Sequence, residues 1–243
     1  MDSNLPPASA TFTPALIISC EHGGNEIPEE FRSHFSGAEE ILETHRGLDL
    51  GALDIAKKIA RALQAPIHFS TTSRLLIDLN RSPDHPDLFS QWSRRLTEPQ
   101  KAKLITQNYA NYRQKIETSI RERTILKRVI HLSIHSFTPV WNSVQRSTDI
   151  GLLFDPDRQF EVDACALWKK LIIAEFPELT VDDNRPYLGT DDGLTTYLRT
   201  QFSNSIYAGI ELEINQKLLC VPADSQEFRR RFIRATLAFQ RQL

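Results

Sequence analysis

The chain has 243 residues, 40% of them apolar and 25% charged, which is the make-up of an ordinary globular protein rather than a disordered or fibrous one. Its 29 basic and 31 acidic side chains leave a net charge of −2, so no general positive field draws in a polyanion and nucleic-acid binding is disfavoured. Three widely spaced cysteines (Cys20, Cys165, Cys220) argue against a disulfide framework, and with no signal-peptide pattern or run near the ~20 apolar residues of a membrane span, a cytoplasmic protein without membrane contact is expected.

Residues 1–13 read as a flexible N-terminal arm and 14–243 as a single α/β domain. Residues 15–19 are short, apolar and followed by Gly23-Gly24, which predicts a buried strand. Residues 48–63 carry apolar side chains at helical spacing. Strands are expected at 67–71 and 75–79, followed by a long polar helix over 97–127. That helix opens on Thr97-Glu98-Pro99-Gln100, a capping-box pattern with proline in its first turn. Further strands are expected at 129–134, 150–154 and 206–214, and helices at 160–176, 190–200 and 225–240. Strands separated by helices of ten or more residues imply crossovers, hence a mostly parallel sheet with helices on both faces. Such sheets place ligands beyond the carboxyl ends of their strands.

The residues beyond each expected strand therefore carry most weight. The first strand leads into Ser19-Cys20-Glu21-His22-Gly23-Gly24-Asn25-Glu26-Ile27-Pro28. Imidazole and carboxylate are ordinary zinc ligands, and a catalytic zinc takes three protein ligands. His22 and Glu26, on a glycine-rich loop, are candidates for two of them, and His135 at a neighbouring strand end for the third. His131, four residues earlier, is ~13 Å away along a strand and reads better as a core histidine. Asn80-Arg81 follows the expected strand at 75–79, and a guanidinium fork matches a carboxylate in bidentate fashion. The alternative is a structural ion pair with Asp78 or Asp84. Arg74 is a second candidate for an oxyanion or carboxylate contact.

Glu211 and Glu213 share one strand face, opposite to Ile210, Leu212 and Ile214. A carboxylate on that face, beside an ion that activates water, is the natural general base. Asp49 is either a helix-start residue or a partner that orients a metal-bound histidine. Tyr187 lines a pocket or packs; Arg146 and Asp149 form a salt bridge or a pocket rim. The phosphate loop, dinucleotide fingerprint and Gly-x-Ser-x-Gly elbow are absent from the sequence.

Taken together, the stretches 19–28, 45–51, 73–81, 135–139, 149–153, 184–187 and 211–215 resemble the N-formylglutamate amidohydrolase family, in order from residue 16 to 220. That family is similar to zinc carboxypeptidases and aspartoacylases. The resemblance implies a mostly parallel mixed sheet with helices on both faces, zinc-carboxypeptidase-like (phosphorylase/hydrolase-like), and one Zn2+ held by His22, Glu26 and His135. It implies Glu213 as general acid/base, Arg74 as polariser of the scissile carbonyl, and Asn80 with Arg81 as the grip on a substrate carboxylate, beside Tyr187. Carboxypeptidases separate their first two ligands by two residues, whereas three separate His22 from Glu26. The expected reaction is zinc-dependent cleavage of the amide of a small N-acyl amino acid, N-formyl-glutamate-like. The alternatives are a metallopeptidase or deacylase of larger substrates and a non-catalytic ligand-binding relative.

Overall fold

The computed structural model describes residues 13–220 and 222–243; the expected arm over 1–13 falls almost entirely outside them. A six-stranded sheet forms the frame, made of β1 (Ala15–Cys20), β2 (Ile67–Phe69), β3 (Val129–Phe137), β6 (Ile150–Leu153), β7 (Val181–Asp183) and β8 (Tyr207–Asn215). Its order is β2-β1-β3-β8-β6-β7. Every pairing is parallel except β6 with β8, so the sheet is mostly parallel and mixed, as expected. A two-residue turn joins the small hairpin of β4 (Val140–Trp141) and β5 (Val144–Gln145), whose Val140, Trp141 and Val144 are exposed.

Alternation along the strands sorts side chains onto two faces. One face carries Leu16, Ile18 and Cys20 of β1, Ile130, Leu132 and Ile134 of β3, and Ala208, Ile210, Leu212 and Ile214 of β8. The helices Ala52–Leu63, Gln159–Glu175 and Pro222–Gln242 cover it, with Trp168, Phe232 and Phe239 fully buried between them. Burial on this scale stabilises by ~1.5–3 kcal/mol per large side chain. The opposite face presents Ser19, His131, Ser133, His135, Glu211 and Glu213, and a second core closes over its amino-terminal half. That core draws on Ile17, Val129 and Tyr207 and on the helices Asn111–Thr124 and Leu194–Gln201. One face is thus an apolar floor, and the other carries the polar residues.

The long helix over 98–124 opens with the expected capping box, Thr97 N donating to Gln100 Oε1 at 2.9 Å. It widens into a π turn over Ile105–Ala110. The helix expected from 48 starts at Ala52, because Gly51 takes a left-handed backbone (φ 80°) just before it, a conformation glycine adopts without strain. The expected strand at 75–79 does not form. Leu76 N turns back to Ser73 O at 2.9 Å and Asp78 N bonds Leu88 O at 2.9 Å. Leu75, Leu76, Ile77 and Leu79 are nonetheless buried in the second core, so their apolar run reports burial without a ladder.

Candidate active site

β1 and β3 run side by side with Ser19 opposite Ser133, and β3 and β8 with His135 opposite Glu213. This register sets His22, just past β1, beside His135 and Glu213 at the carboxyl end of the sheet. His135 lies inside β3 near its end rather than after it. The chain then returns over 45–49, where Asp49 N bonds His22 O at 2.9 Å and Ser73 Oγ donates to Gly47 O at 2.9 Å. These contacts place Asp49 between the two imidazoles, while the Ser73–Asp78 turn closes the third side.

Asp49 Oδ2 lies 2.9 Å from His135 Nδ1 and 3.4 Å from His22 Nδ1. One ligand atom from each of the three lies within 4.8 Å of the others, and all three residues are buried. The far nitrogens are engaged elsewhere. His22 Nε2 meets Asp78 Oδ1 at 2.7 Å, while His135 Nε2 meets Glu21 Oε2 at 3.1 Å and Ser133 Oγ at 2.9 Å. Ionised carboxylates only accept, so each Nε2 carries a proton and, in a neutral ring, each Nδ1 is a bare lone pair. Two imidazole lone pairs and a carboxylate oxygen therefore converge, which is stable only around a cation or extra protons. The donor set fits a divalent ion, and carboxylates behind both imidazoles are the usual support for such ligands.

The charges around this point follow. Burial would lower the His135 pKa, but the bonds to Asp49 and Glu21 raise it well above the usual range. Burial would raise Asp49 and Asp78, yet both are held well below the carboxylate range: Asp49 by His22, His135 and Arg74, and Asp78 by Arg74 and His22. Arg74 is a clamp as well as a cavity residue, with NH1 3.3 Å from Asp49 Oδ1 and NH2 3.0 Å from Asp78 Oδ2. Glu213 behaves oppositely. Burial first, then the charges of Asp49 and Glu211, push it up to about 8 against the pull of His135 and Arg74. Its Oε2 is buried without a hydrogen-bond partner among the described residues. A carboxyl that prefers its proton, next to a cation site, is suited to move protons.

These residues line a cavity of about 630 Å³. Asn80 and Arg81 form one wall. Asn80 Oδ1 accepts from Leu194 N at 2.6 Å, and Arg81 NH1 donates to Asp192 O at 3.2 Å. Among the described residues Arg81 has no carboxylate partner, neither Asp78 nor Asp84. Tyr187 and the hairpin residue Trp141 form another wall, with Arg146 donating to Tyr187 Oη from two nitrogens at 3.1 Å. Asp149 instead pairs with Lys217. Glu211 accepts from Thr195 Oγ1 at 2.8 Å and is half-buried, so Glu213 is the one beside the imidazoles.

Glu26 stands apart. The glycine loop continues the β1–β2 pairing outward: Glu26 N bonds Thr71 O, Ser73 N bonds Glu26 O, and Thr71 Oγ1 donates to the exposed Glu26 carboxylate at 2.7 Å. A Cβ on Gly24 would lie 2.4 Å from Thr71 O, so only glycine lets the two segments approach this closely. Glu26 therefore does not join His22 and His135; Asp49 does, where the sequence suggested a helix-start or orienting role. His131 is the expected core histidine, bonded to Ser19 Oγ at 2.7 Å and Tyr207 Oη at 3.0 Å, and burial lowers it to about 4.

A mostly parallel α/β sheet, with two histidines and an aspartate gathered at its carboxyl edge beside a proton-holding glutamate, defines a hydrolase-like fold with a candidate metal centre. The model of the N-formylglutamate amidohydrolase family matches residues 14–220, and the chain belongs to that family. Membership makes it a hydrolase of carbon–nitrogen bonds. Among solved structures, a gene product of Agrobacterium tumefaciens aligns at 25% identity with a TM-score of 0.79, over 94% of this chain and 91% of that one. An N-formylglutamate amidohydrolase from Ralstonia eutropha JMP134 aligns at 17% identity with a TM-score of 0.71, over 94% of each chain, which shows a shared fold. A search of curated proteins finds no match. No helix among the described residues is long and apolar enough to cross a membrane.

Proposed function

We propose that the protein hydrolyses the amide bond of a small N-acyl amino acid with a free carboxylate, using one divalent ion, zinc by its donor set. The observation that carries this reading is the convergence of His22 Nδ1, His135 Nδ1 and Asp49 Oδ2 near Glu213, whose Oε2 has no hydrogen-bond partner among the described residues. His22, Asp49 and His135 would hold the ion. When bound, it supplies a Lewis acid that polarises the acyl carbonyl and makes water nucleophilic near neutral pH.

The chain's own groups do the rest. Glu213 takes the proton of the attacking water and passes it to the leaving amine nitrogen. Arg74, fixed by Asp49 and Asp78 and a quarter exposed to the cavity, directs its remaining N–H toward the oxygen that gains charge. Arg81, with Asn80, binds the substrate carboxylate, a role left open by its having no carboxylate partner among the described residues. Tyr187 closes the opposite wall. Metal-loaded protein should release free amino acid from N-formyl or N-acyl amino acids, and chelation should stop it. Faster cleavage of dipeptides than of acyl amino acids would favour a peptidase, and binding without product would refute hydrolysis.

A further inference from the structure

Glu21 is fully buried on the far side of His135 from the cavity. Tyr112 Oη donates to Glu21 Oε1 at 2.8 Å, Ser133 Oγ donates to Oε2 at 2.5 Å, and His135 Nε2 lies 3.1 Å from Oε2. Among the described residues no lysine or arginine pairs with it. A carboxylate this deep is costly unless a cation compensates it, and hydroxyls of Tyr112 and Ser133 supply none. The neighbouring imidazole, and whatever cation sits at its other nitrogen, is the compensating group.

The two imidazoles are supported differently. Behind His22 stands Asp78, whose charge is shared with Arg74 at 3.0 Å. Behind His135 stands Glu21, with its charge unshared. Ser133 Oγ also lies 2.9 Å from His135 Nε2, and because its single proton goes to the carboxylate, it too can only accept from that ring. The tautomer of His135 is thus set from two sides.

We propose that Glu21 is a positioning residue for the metal centre, fixing the His135 tautomer with Nδ1 bare and raising its strength as a ligand, so that His135 is the stronger of the two imidazole donors. This rests on the metal reading given above. A purely structural Glu21 would tie the Asn111–Thr124 helix to the sheet through Tyr112 and leave ion affinity untouched.

The test is calorimetric titration of Zn2+ into metal-free protein, with the visible spectrum of the Co2+-loaded form as a second readout. Glu21→Gln should weaken Zn2+ binding by about 10–100-fold and shift the Co2+ bands. Ser133→Ala, a milder change should the first variant fold poorly, should weaken binding several-fold. Tyr112→Phe removes a contact to the other carboxylate oxygen and should leave affinity within about threefold of wild type. Unchanged affinity and spectra in Glu21→Gln, or in Ser133→Ala if only that variant folds, would overturn the proposal while sparing the metal site. Failure of the wild-type protein to take up Zn2+ or Co2+ would overturn both.

Discussion

Arg81 offers the sharpest separation of substrate binding from folding. Among the described residues its guanidinium makes a single internal hydrogen bond, to the carbonyl of Asp192 at 3.2 Å. Its backbone is held independently, the carbonyl accepting from Tyr109 Oη and Arg113 NH2, each at 2.6 Å. Truncation in Arg81→Ala leaves those backbone contacts in place and removes one hydrogen bond, a stability loss of about 1 kcal/mol. The loss in catalysis is larger, because a substrate carboxylate is left buried without its cation. At about 2–5 kcal/mol that is roughly 30-fold to several thousand-fold in kcat/KM. Arg81→Lys restores the charge but not the fork, and should recover only part of the loss. The assay compares wild type and Arg81→Ala on an N-acyl amino acid and on the matching N-acyl amine without a carboxylate. The two proteins should differ on the first and agree on the second. An equal loss on both substrates, or none on either, would refute the carboxylate-binding role.

Glu213→Gln should lower kcat by about 10²–10⁴-fold while leaving ion uptake intact, checked by kinetics and metal analysis on one preparation. A fully active variant would remove Glu213 from proton transfer. The raised pKa of Glu213 also fixes the sign of a stability effect. An unfolded glutamate titrates near 4.3, so a folded value of about 8 means that ionisation costs the fold between these limits. In metal-free protein, Glu213→Gln should therefore melt above wild type at pH 8, with the difference disappearing toward pH 4; a gap that is the same at both pH values contradicts this. Glu26→Ala should keep wild-type metal content and activity, because that carboxylate is exposed and bonded to Thr71. Loss of the ion in this variant would restore Glu26 as a ligand.

The fold was legible where periodicity reports burial directly. Alternation in β8 sets Glu211 and Glu213 opposite Ile210, Leu212 and Ile214, and the same rule separates His131 and His135 from Leu132 and Ile134. The 75–79 run misleads because an apolar stretch registers burial, not backbone conformation, and here a turn carries those side chains under the second core. Glu26 misleads for a related reason. Closeness along the chain suggests convergence with His22, but the glycines let the loop run on beside Thr71 and Thr72, carrying Glu26 outward. Asp49 escapes notice as the third member of the cluster because it follows His22 by 27 positions on an irregular segment, brought there by a backbone bond to His22 that no local pattern encodes. The nearest sequence signal was an acidic residue just ahead of a glycine-started helix in a motif rich in charge.

The central claim is that His22, Asp49 and His135 share one cation. Anomalous diffraction at the zinc absorption edge, from crystals equilibrated with Zn2+, tests it most directly. One strong peak in contact with both Nδ1 atoms and an Asp49 oxygen is predicted. Zinc found only at Glu26 or at surface sites, with the three side chains free of it, would contradict the account.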